Sequence, residues 1–320
     1  MPIRIGKNCI PYFVFSDMFV YKMKPAYRYG AATPWGGDAL RRVFGKDIPD
    51  DHTGEALEAS TLAGLESVLT DGRTLTACAG GPLPLLLKLL DARETLSVQV
   101  HPDDAYAAAY ENGKRGKAEA WLILAAEPGA KIVYGLTPGT DVRALAGKDL
   151  EARLRWVEVA RGDVFYIPPG MVHAIGAGIL LYEIQQSSDV TYRFWDWNRR
   201  DPDGGMRPLH WDKACDVARA DLRLSSTAGV VKPCEGGAVI RYLDTEHFTL
   251  MKLQARARLP LPIAAGFRFL TALGAGRLVQ GNEALVFLPG ETMYMPPFTE
   301  GVWVEGPCEL LVSGPPIPSD

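Results

Sequence analysis

The stretch GDVFYIPPGMVH at residues 162–173 decides the fold, because a close copy, GETMYMPPFTEG, recurs at residues 290–301. Four positions are identical between the copies at the same spacing: Gly162, Tyr166, Pro168 and Pro169 match Gly290, Tyr294, Pro296 and Pro297. Each copy has a short, largely apolar run that ends at a Pro-Pro turn, which is typical of a strand followed by a turn. The first copy ends in His173, where the second has Gly301. The repeat therefore indicates one strand–turn–strand unit used twice, with a histidine only in the first.

The first copy resembles the second sequence motif of the cupin family, G-x5-P-x-G-x2-H, which points a histidine into a β-barrel. This resemblance implies a mainly β protein of two cupin-like (jelly-roll) β-barrels with helical insertions. Chance similarity of two Gly/Pro turns is the alternative. A polar turn at 201–205 and a small-residue stretch at 225–237 separate the copies. We expect a catalytic domain over residues 1–215 and a degenerate second domain over 216–320.

The rest of the chain fits a β-rich fold, because short apolar runs alternate with turns supplied by 33 Gly and 24 Pro. Predicted strands lie at residues 95–100, 120–124, 131–134, 163–167, 178–184, 248–253, 267–273, 284–287 and 309–312. Predicted helices lie at 38–44, at 105–111 after the capping candidates Asp103 and Asp104, and within 141–155.

Composition excludes several classes of partner and location. The 320 residues carry a net charge of −4, so there is no basic field for nucleic acid or an anionic membrane. The sequence contains no run of 18 apolar residues, so no membrane span is predicted. Residues 9–20 are interrupted by Asp17 and read as a leading strand or covering segment rather than a signal peptide. Five irregularly spaced cysteines argue against a disulfide framework and favour a reducing, cytoplasmic location.

Two short stretches carry candidate metal ligands. In SVQVHPDD, residues 97–104, the alternation of a strand puts Ser97, Gln99 and His101 on one face. In GKAEAW, residues 116–121, the same rule puts Lys117 and Glu119 together. The ordinary alternatives are a solvated strand face and an exposed Lys/Glu pair on an edge strand.

With His173, these stretches supply two imidazoles and a carboxylate. His101, Glu119 and His173 suit zinc with an open coordination position, and Gln99 offers a weaker fourth oxygen ligand. The same set also suits non-haem iron.

The segment 181–199 adds charged residues. Glu183 and Gln185 face one way from a largely apolar strand, and a buried carboxylate needs a partner, for which Arg193 is a candidate. A purely structural Glu–Arg pair is the alternative. The aromatic residues at 192–197 are interpreted as core.

Seven runs, at residues 35–37, 54–60, 84–91, 96–104, 116–121, 167–176 and 183–193, together resemble the short bacterial form of type I mannose-6-phosphate (phosphomannose) isomerases. The resemblance covers roughly residues 20–220. It implies one zinc ion held by Gln99, His101, Glu119 and His173. It implies that Lys88 and Ser97 bind the substrate phosphate, and that Lys117, Glu183 and Arg193 surround the reacting carbons. The sequence departs from the family at Leu57, where a tryptophan is usual, and the run around it is interpreted as structural packing.

The implied activity is the interconversion of mannose 6-phosphate and fructose 6-phosphate through a cis-enediol, with a small sugar phosphate as the partner. Two other functions use much of the same residue set. A non-haem iron cupin dioxygenase needs the metal ligands but no phosphate contacts, and a non-catalytic sugar-phosphate-binding protein does not need Lys117, Glu183 and Arg193 together. The sequence leaves monomer and dimer open.

Overall fold

In the computed structural model, the described residues are 20–145, 147–200, 203–262 and 265–317. The predicted segment at residues 9–20 lies outside them, except for Val20. The chain is mainly β, as the sequence predicted. Strands β1 to β13 are Tyr21–Lys24, Ala26–Arg28, Glu55–Ala59, Val68–Leu69, Leu85–Ala92, Val98–Val100, Glu119–Ala126, Lys131–Leu136, Leu154–Glu158, Val164–Ile167, His173–Ile175, Ile179–Gln186 and Tyr192–Trp195. Strands β14 to β23 are Val230–Cys234, Gly237–Asp244, Thr249–Ala255, Arg258–Pro260, Arg268–Ala272, Gly276–Gln280, Glu283–Phe287, Thr292–Met295, Val302–Glu305 and Cys308–Gly314.

The helices are short and lie between strands. Helices α1 to α5 are Ala39–Phe44, Leu75–Ala79, Asp104–Tyr110, Gly147–Glu151 and Trp211–Val217, with 3₁₀ turns at Gly30–Ala32 and Val142–Ala144. The Asp103 cap of α3 is confirmed, since its carboxylate accepts the backbone N–H of Tyr106. One or two short helices broken at Gly147 are predicted within 141–155, and the structure has a 3₁₀ turn at Val142–Ala144 and α4 at Gly147–Glu151. The predicted range is wrong at its end, because β9 begins at Leu154. Helices α2 and α5 were not predicted. No helix in the described ranges is long and apolar enough to cross a membrane.

Four antiparallel sheets stack through apolar layers. Their strand orders are β13-β6-β11-β8-β9, β10-β7-β12-β5-β3-β2, β14-β15-β16-β23-β18-β21-β1-β4 and β17-β22-β19-β20. Trp121 and Ile175 pack between the first two sheets. Leu89 and Phe269 belong to the layer between the second and third. The six-stranded sheet is therefore covered on both faces, which explains why its strands read as nearly continuous apolar runs.

Strand β5 shows how this layering positions a polar side chain. Its sequence LLLKLLDA is buried throughout. Leu85, Leu87 and Leu89 pack in the layer toward the eight-stranded sheet. The alternate residues Leu86, Lys88 and Leu90 face a cavity on the other side. Lys88 is thus placed by strand periodicity in an otherwise apolar wall, where it needs a charged partner.

The internal repeat is seen in the backbone. In the first copy β10 leads through the Pro-Pro turn to β11, and in the second β21 leads through the matching turn to β22. Gly162 and Gly290 both have positive φ, at 97° and 80°. At the turn itself, Gly170 and its counterpart Phe298 also share positive φ, at 85° and 57°, a conformation that a bulky residue rarely adopts. Both copies thus share the strand–turn–strand order and positive φ at these two positions.

The eight-stranded sheet includes strands from both ends of the sequence. β1 pairs with β21, with Tyr21 opposite Tyr294, and β4 pairs with β1. The sheet therefore spans the predicted boundary at residues 215 and 216, and that boundary stays a prediction. Cys78, Cys215, Cys234 and Cys308 are free thiols, whereas Cys9 lies outside the described residues.

Candidate active site

Three strands bring the predicted metal ligands together. His101 directly follows β6, Glu119 begins β7 and His173 begins β11. Their ligand atoms all lie within 4.8 Å of one another. His101 Nε2 is 3.3 Å from one Glu119 carboxylate oxygen, and His173 Nε2 is 3.6 Å from the other. All three side chains are buried.

Hydrogen bonds orient both imidazoles for metal binding. Nδ1 of His101 lies 2.9 Å from the carbonyl oxygen of Val190, and Nδ1 of His173 lies 2.8 Å from that of Met171. A carbonyl can only accept, so each Nδ1 carries the proton and each Nε2 lone pair faces Glu119. This is the usual outer hydrogen bond of a metal-binding histidine.

The electrostatics of this cluster also fit a cation. Among the described residues, Nε2 of His173 is buried without a hydrogen-bond partner, and the buried Glu119 carboxylate has the ion pair with Lys117 to compensate its charge. Burial, followed by the charge of Lys117, lowers the pKa of His101 to about 3. Burial raises the pKa of Glu119, but the charges of Lys117 and His101 outweigh it and lower that pKa well below its usual range. The neutral imidazole and the ionised carboxylate are the forms that bind metal.

Two further predicted residues adjoin the cluster. Gln99, in the middle of β6, lies opposite both His173 and Arg193 on the neighbouring strands. Lys117 forms an ion pair with Glu119, and its Nζ is 3.3 Å from His101 Nε2. The predicted common face of Lys117 and Glu119 is therefore confirmed, and it is buried rather than exposed.

A cavity of about 300 Å³ opens beside Glu119, between the five-stranded and six-stranded sheets. Seven of the nine predicted site residues line it: Lys88, Ser97, Gln99, Lys117, Glu119, Glu183 and Arg193. His101 and His173 complete the cluster around Glu119. The structure thus brings all nine predicted residues to one place.

A chain of buried charges crosses the cavity wall. Glu183 and Lys88 lie directly opposite each other on β12 and β5, with Nζ 3.6 Å from the carboxylate. Lys88 also lies 3.5 Å from Glu55, which in turn pairs with Arg28 at 3.2 Å. The expected pairing of Glu183 with Arg193 is wrong, since Lys88 is its partner. Burial, followed by the charge of Glu119, raises the pKa of Glu183 to about 7.

Arg193 on β13 is fixed by hydrogen bonds that its backbone N–H and its guanidinium donate. Its Nη1 donates to the Pro208 carbonyl at 2.8 Å, and its backbone N–H donates to Nδ1 of His210 at 3.1 Å. Its Nε is buried without a hydrogen-bond partner among the described residues. The side chain lines the cavity with its charge unmatched by a carboxylate in the described ion pairs.

Sequence reasoning missed four charged residues that line the cavity, Arg28, Glu55, Asp189 and Arg207, and also Asp196, which pairs with Arg207. The run around Leu57 was interpreted as structural packing. That holds for Leu57, which is fully buried, but it is wrong for Glu55, which faces the cavity. The alternation in GEALEA could have indicated an inward carboxylate, whereas no local pattern marks Arg207.

Comparison with known proteins gives a consistent result. A family model for the catalytic domain of type I phosphomannose isomerase matches residues 61–120. The mannose-6-phosphate isomerase of Streptococcus mutans is 34% identical over 302 residues, covering 87% of this chain and 94% of that protein. The crystal structure of the mannose 6-phosphate isomerase from Bacillus subtilis superposes with a TM-score of 0.86 at 30% identity, covering 92% of this chain and 99% of that one.

A crystal structure of a mannose 6-phosphate isomerase bound with zinc and yttrium shares the fold, with a TM-score of 0.74 at 14% identity over 94% of this chain and all of that one. The similarity to the Streptococcus mutans protein runs through nearly the whole of both chains. The chain belongs to the type I mannose-6-phosphate isomerase family.

Proposed function

We propose that the protein is an aldose–ketose isomerase that interconverts mannose 6-phosphate and fructose 6-phosphate. The relatives that resemble it along most of its length are named mannose-6-phosphate isomerases. One structural observation carries the proposal. The buried His101–Glu119–His173 cluster adjoins a cavity that also contains Glu183, whose pKa of about 7 suits proton transfer at neutral pH.

We propose one Zn²⁺ per chain, held by His101, Glu119 and His173 with Gln99 as the fourth ligand. Two imidazoles and a carboxylate are common zinc ligands, and the tautomers set by Val190 and Met171 present both Nε2 atoms to the same point. When bound, zinc supplies Lewis-acid polarisation of the sugar oxygens.

The proton transfer is assigned to the residues beside this cluster. Glu183 removes the C2 proton of the open-chain aldose, which gives a cis-enediol, and the proton returns at C1. A carboxylate of pKa about 7 is a better base at neutral pH than an ordinary glutamate. Lys117, paired with Glu119, serves as the other acid–base group. Arg193 stabilises the negative charge that develops in the transition state.

Ser97 and Lys88 are proposed to bind the substrate phosphate. Both line the cavity, and Ser97 precedes His101 by four residues of extended chain, about 13 Å at about 3.3 Å per residue. That span is comparable to an extended hexose 6-phosphate. A cytoplasmic location, a small sugar phosphate as the only ligand class and the division into cupin-like barrels over 1–215 and 216–320 belong to the same proposal.

The test is a coupled assay of fructose 6-phosphate formation from mannose 6-phosphate, before and after chelation. Loss of activity on chelation and its return with zinc support the isomerase and its metal centre together. Absence of conversion with any divalent metal would refute the proposal. Oxygen consumption by the iron-loaded protein would then favour the dioxygenase, and binding of the sugar phosphate without turnover would favour the binding protein.

A further inference from the structure

The charges along the cavity are distributed unevenly. In the middle of the wall, Lys88 lies between Glu55 and Glu183, and Arg28 also contacts Glu55. At the metal end, Lys117 is paired with Glu119. The cations in these two regions are therefore matched by carboxylates, so the proposed phosphate contact of Lys88 supplies little net positive charge by itself. A dianionic phosphate needs positive charge that is not already neutralised.

Positive charge that is not fully neutralised lies at the end of the cavity near Ser97. Trp195 pairs with Val98 in the sheet, so the residue after it, Asp196, lies near the level of Ser97. Arg207 grips Asp196 through two hydrogen bonds of 2.7 Å, from Nε and from Nη2. Arg199 contacts the same carboxylate at 3.2 Å. Arg199 also pairs with the exposed Glu94 at 3.7 Å, and Arg193 has no carboxylate partner in the described ion pairs. The three guanidinium groups at this end therefore face two carboxylates, which leaves an excess of positive charge.

Arg207 differs from the preceding residues of its loop in its solvent exposure. Residues 203–206 are exposed, whereas the Arg207 side chain is 19% exposed and lines the cavity. Its grip on Asp196 leaves Nη1 without a hydrogen-bond partner among the described residues. The neighbouring Pro208 carbonyl accepts from Arg193, so the same loop also fixes the second cavity arginine. Both arginines line the cavity, and burial, followed by the charge of Arg207, lowers the pKa of Arg193.

We propose that Arg207 binds the phosphate group of the substrate, with Ser97 beside it and Asp196 as its positioning residue. The inference rests on the proposed isomerase function and names the residue that supplies the charge for its phosphate subsite. A guanidinium already fixed through two of its nitrogens loses little conformational freedom when its third nitrogen binds a phosphate oxygen.

The test compares Arg207→Ala with Arg200→Ala in the zinc-loaded enzyme. Arg200 lies in the same region and carries the same charge, but it is exposed, and its side chain donates to the Gly204 carbonyl and to no other described residue. For Arg207→Ala we expect KM for mannose 6-phosphate and Ki for competing inorganic phosphate to rise together, by about 10- to 100-fold, with kcat changed far less. Arg200→Ala should keep both constants. Arg207→Lys retains the charge without the two-point grip, so its constants should lie between those of the wild type and Arg207→Ala.

An unchanged Ki for phosphate in Arg207→Ala, or an equal rise in Arg200→Ala, would overturn the inference. A fall in kcat with unchanged KM would also overturn it, because it would indicate a purely structural role. Calorimetric titration with inorganic phosphate separates this inference from the isomerase proposal, since it needs no turnover. A wild type that binds phosphate through Arg207 but converts no sugar would refute the isomerase and keep the anion site.

Discussion

Zinc is expected to stabilise the protein against heat only when the His101–Glu119–His173 cluster is intact. A ligand that binds only the folded state adds RT ln(1 + [L]/Kd), which is about 2.7 kcal/mol at 100 times Kd and about 4.1 kcal/mol at 1,000 times Kd. For 320 residues the unfolding entropy is about 0.7 kcal/mol/K. The expected increase in Tm is therefore about 4 °C and about 6 °C at those two concentrations.

The cluster explains why the effect should depend on a single side chain. Removal of the His101 imidazole takes away one of three ligand atoms that lie within 4.8 Å of one another. His173, Glu119 and the weaker proposed ligand Gln99 remain, and this set has only one imidazole and should bind zinc far more weakly. For His101→Ala we therefore expect the zinc-dependent increase in Tm to disappear, whatever the variant's own stability is.

The assay is thermal unfolding followed by circular dichroism, for chelated protein and along a zinc titration. Arg193→Ala is the matched control, because this cavity residue contacts none of the three ligands in the described structure and should keep the whole increase. Magnesium is the control ion, since it prefers oxygen ligands. If His101→Ala shows the same zinc-dependent increase as the wild type, zinc binds elsewhere and the metal centre is wrongly assigned.

Three further predictions address catalysis and stability. Arg193→Ala should keep its zinc by metal analysis but lose about 100- to 1,000-fold in kcat, because a donor to the developing charge is removed; unchanged turnover would exclude Arg193 from the mechanism. The wild-type kcat/KM should fall about tenfold per pH unit below a pKa of about 7, because the base must be ionised and Glu183 is protonated there. A flat profile between pH 5 and 8 would contradict this role. Glu183→Gln should abolish the activity. Tyr182→Phe should cost about 1–3 kcal/mol of unfolding free energy, since it removes a buried 2.6 Å hydrogen bond to Ser313, while KM stays constant; a chemical denaturation curve that matches the wild type would refute it.

The residues of the candidate metal site could be predicted because their signals are local. Gln99 and its neighbours lie on one short strand, where the period of two fixes which side chains share a face. The turn before His173 is marked by a Pro-Pro-Gly run and by its repeat. Within each stretch the sequence thus determines which way the side chains point. The family resemblance added the prediction that the separate stretches form one site.

The partners of the charged residues could not be predicted, because they depend on register between distant strands. Lys88 and Glu183 are 95 residues apart, and a shift of one residue in the pairing of β5 with β12 would turn one of them to the opposite face. Arg207 lies in an irregular loop, where no periodicity indicates direction. The proposed phosphate-binding role of Arg207 follows only from its pairing with Asp196, which directly follows β13.

Burial and the charge of Glu119 raise the pKa of Glu183 to about 7, and the sharing of Lys88 between two carboxylates weakens the interaction that would lower it. If Lys88 faced Glu183 alone, a full buried ion pair would hold Glu183 ionised and lower its pKa. Glu55 competes for the same ammonium group at 3.5 Å, against 3.6 Å for Glu183, and its own charge opposes ionisation of Glu183. Burial raises the pKa of Glu55, but the charges of Lys88 and then of Arg28 outweigh it and lower that pKa, which keeps Glu55 ionised. The four residues together therefore leave Glu183 poised between its two protonation states, which is what a base that removes a proton from one carbon and returns it to the next requires.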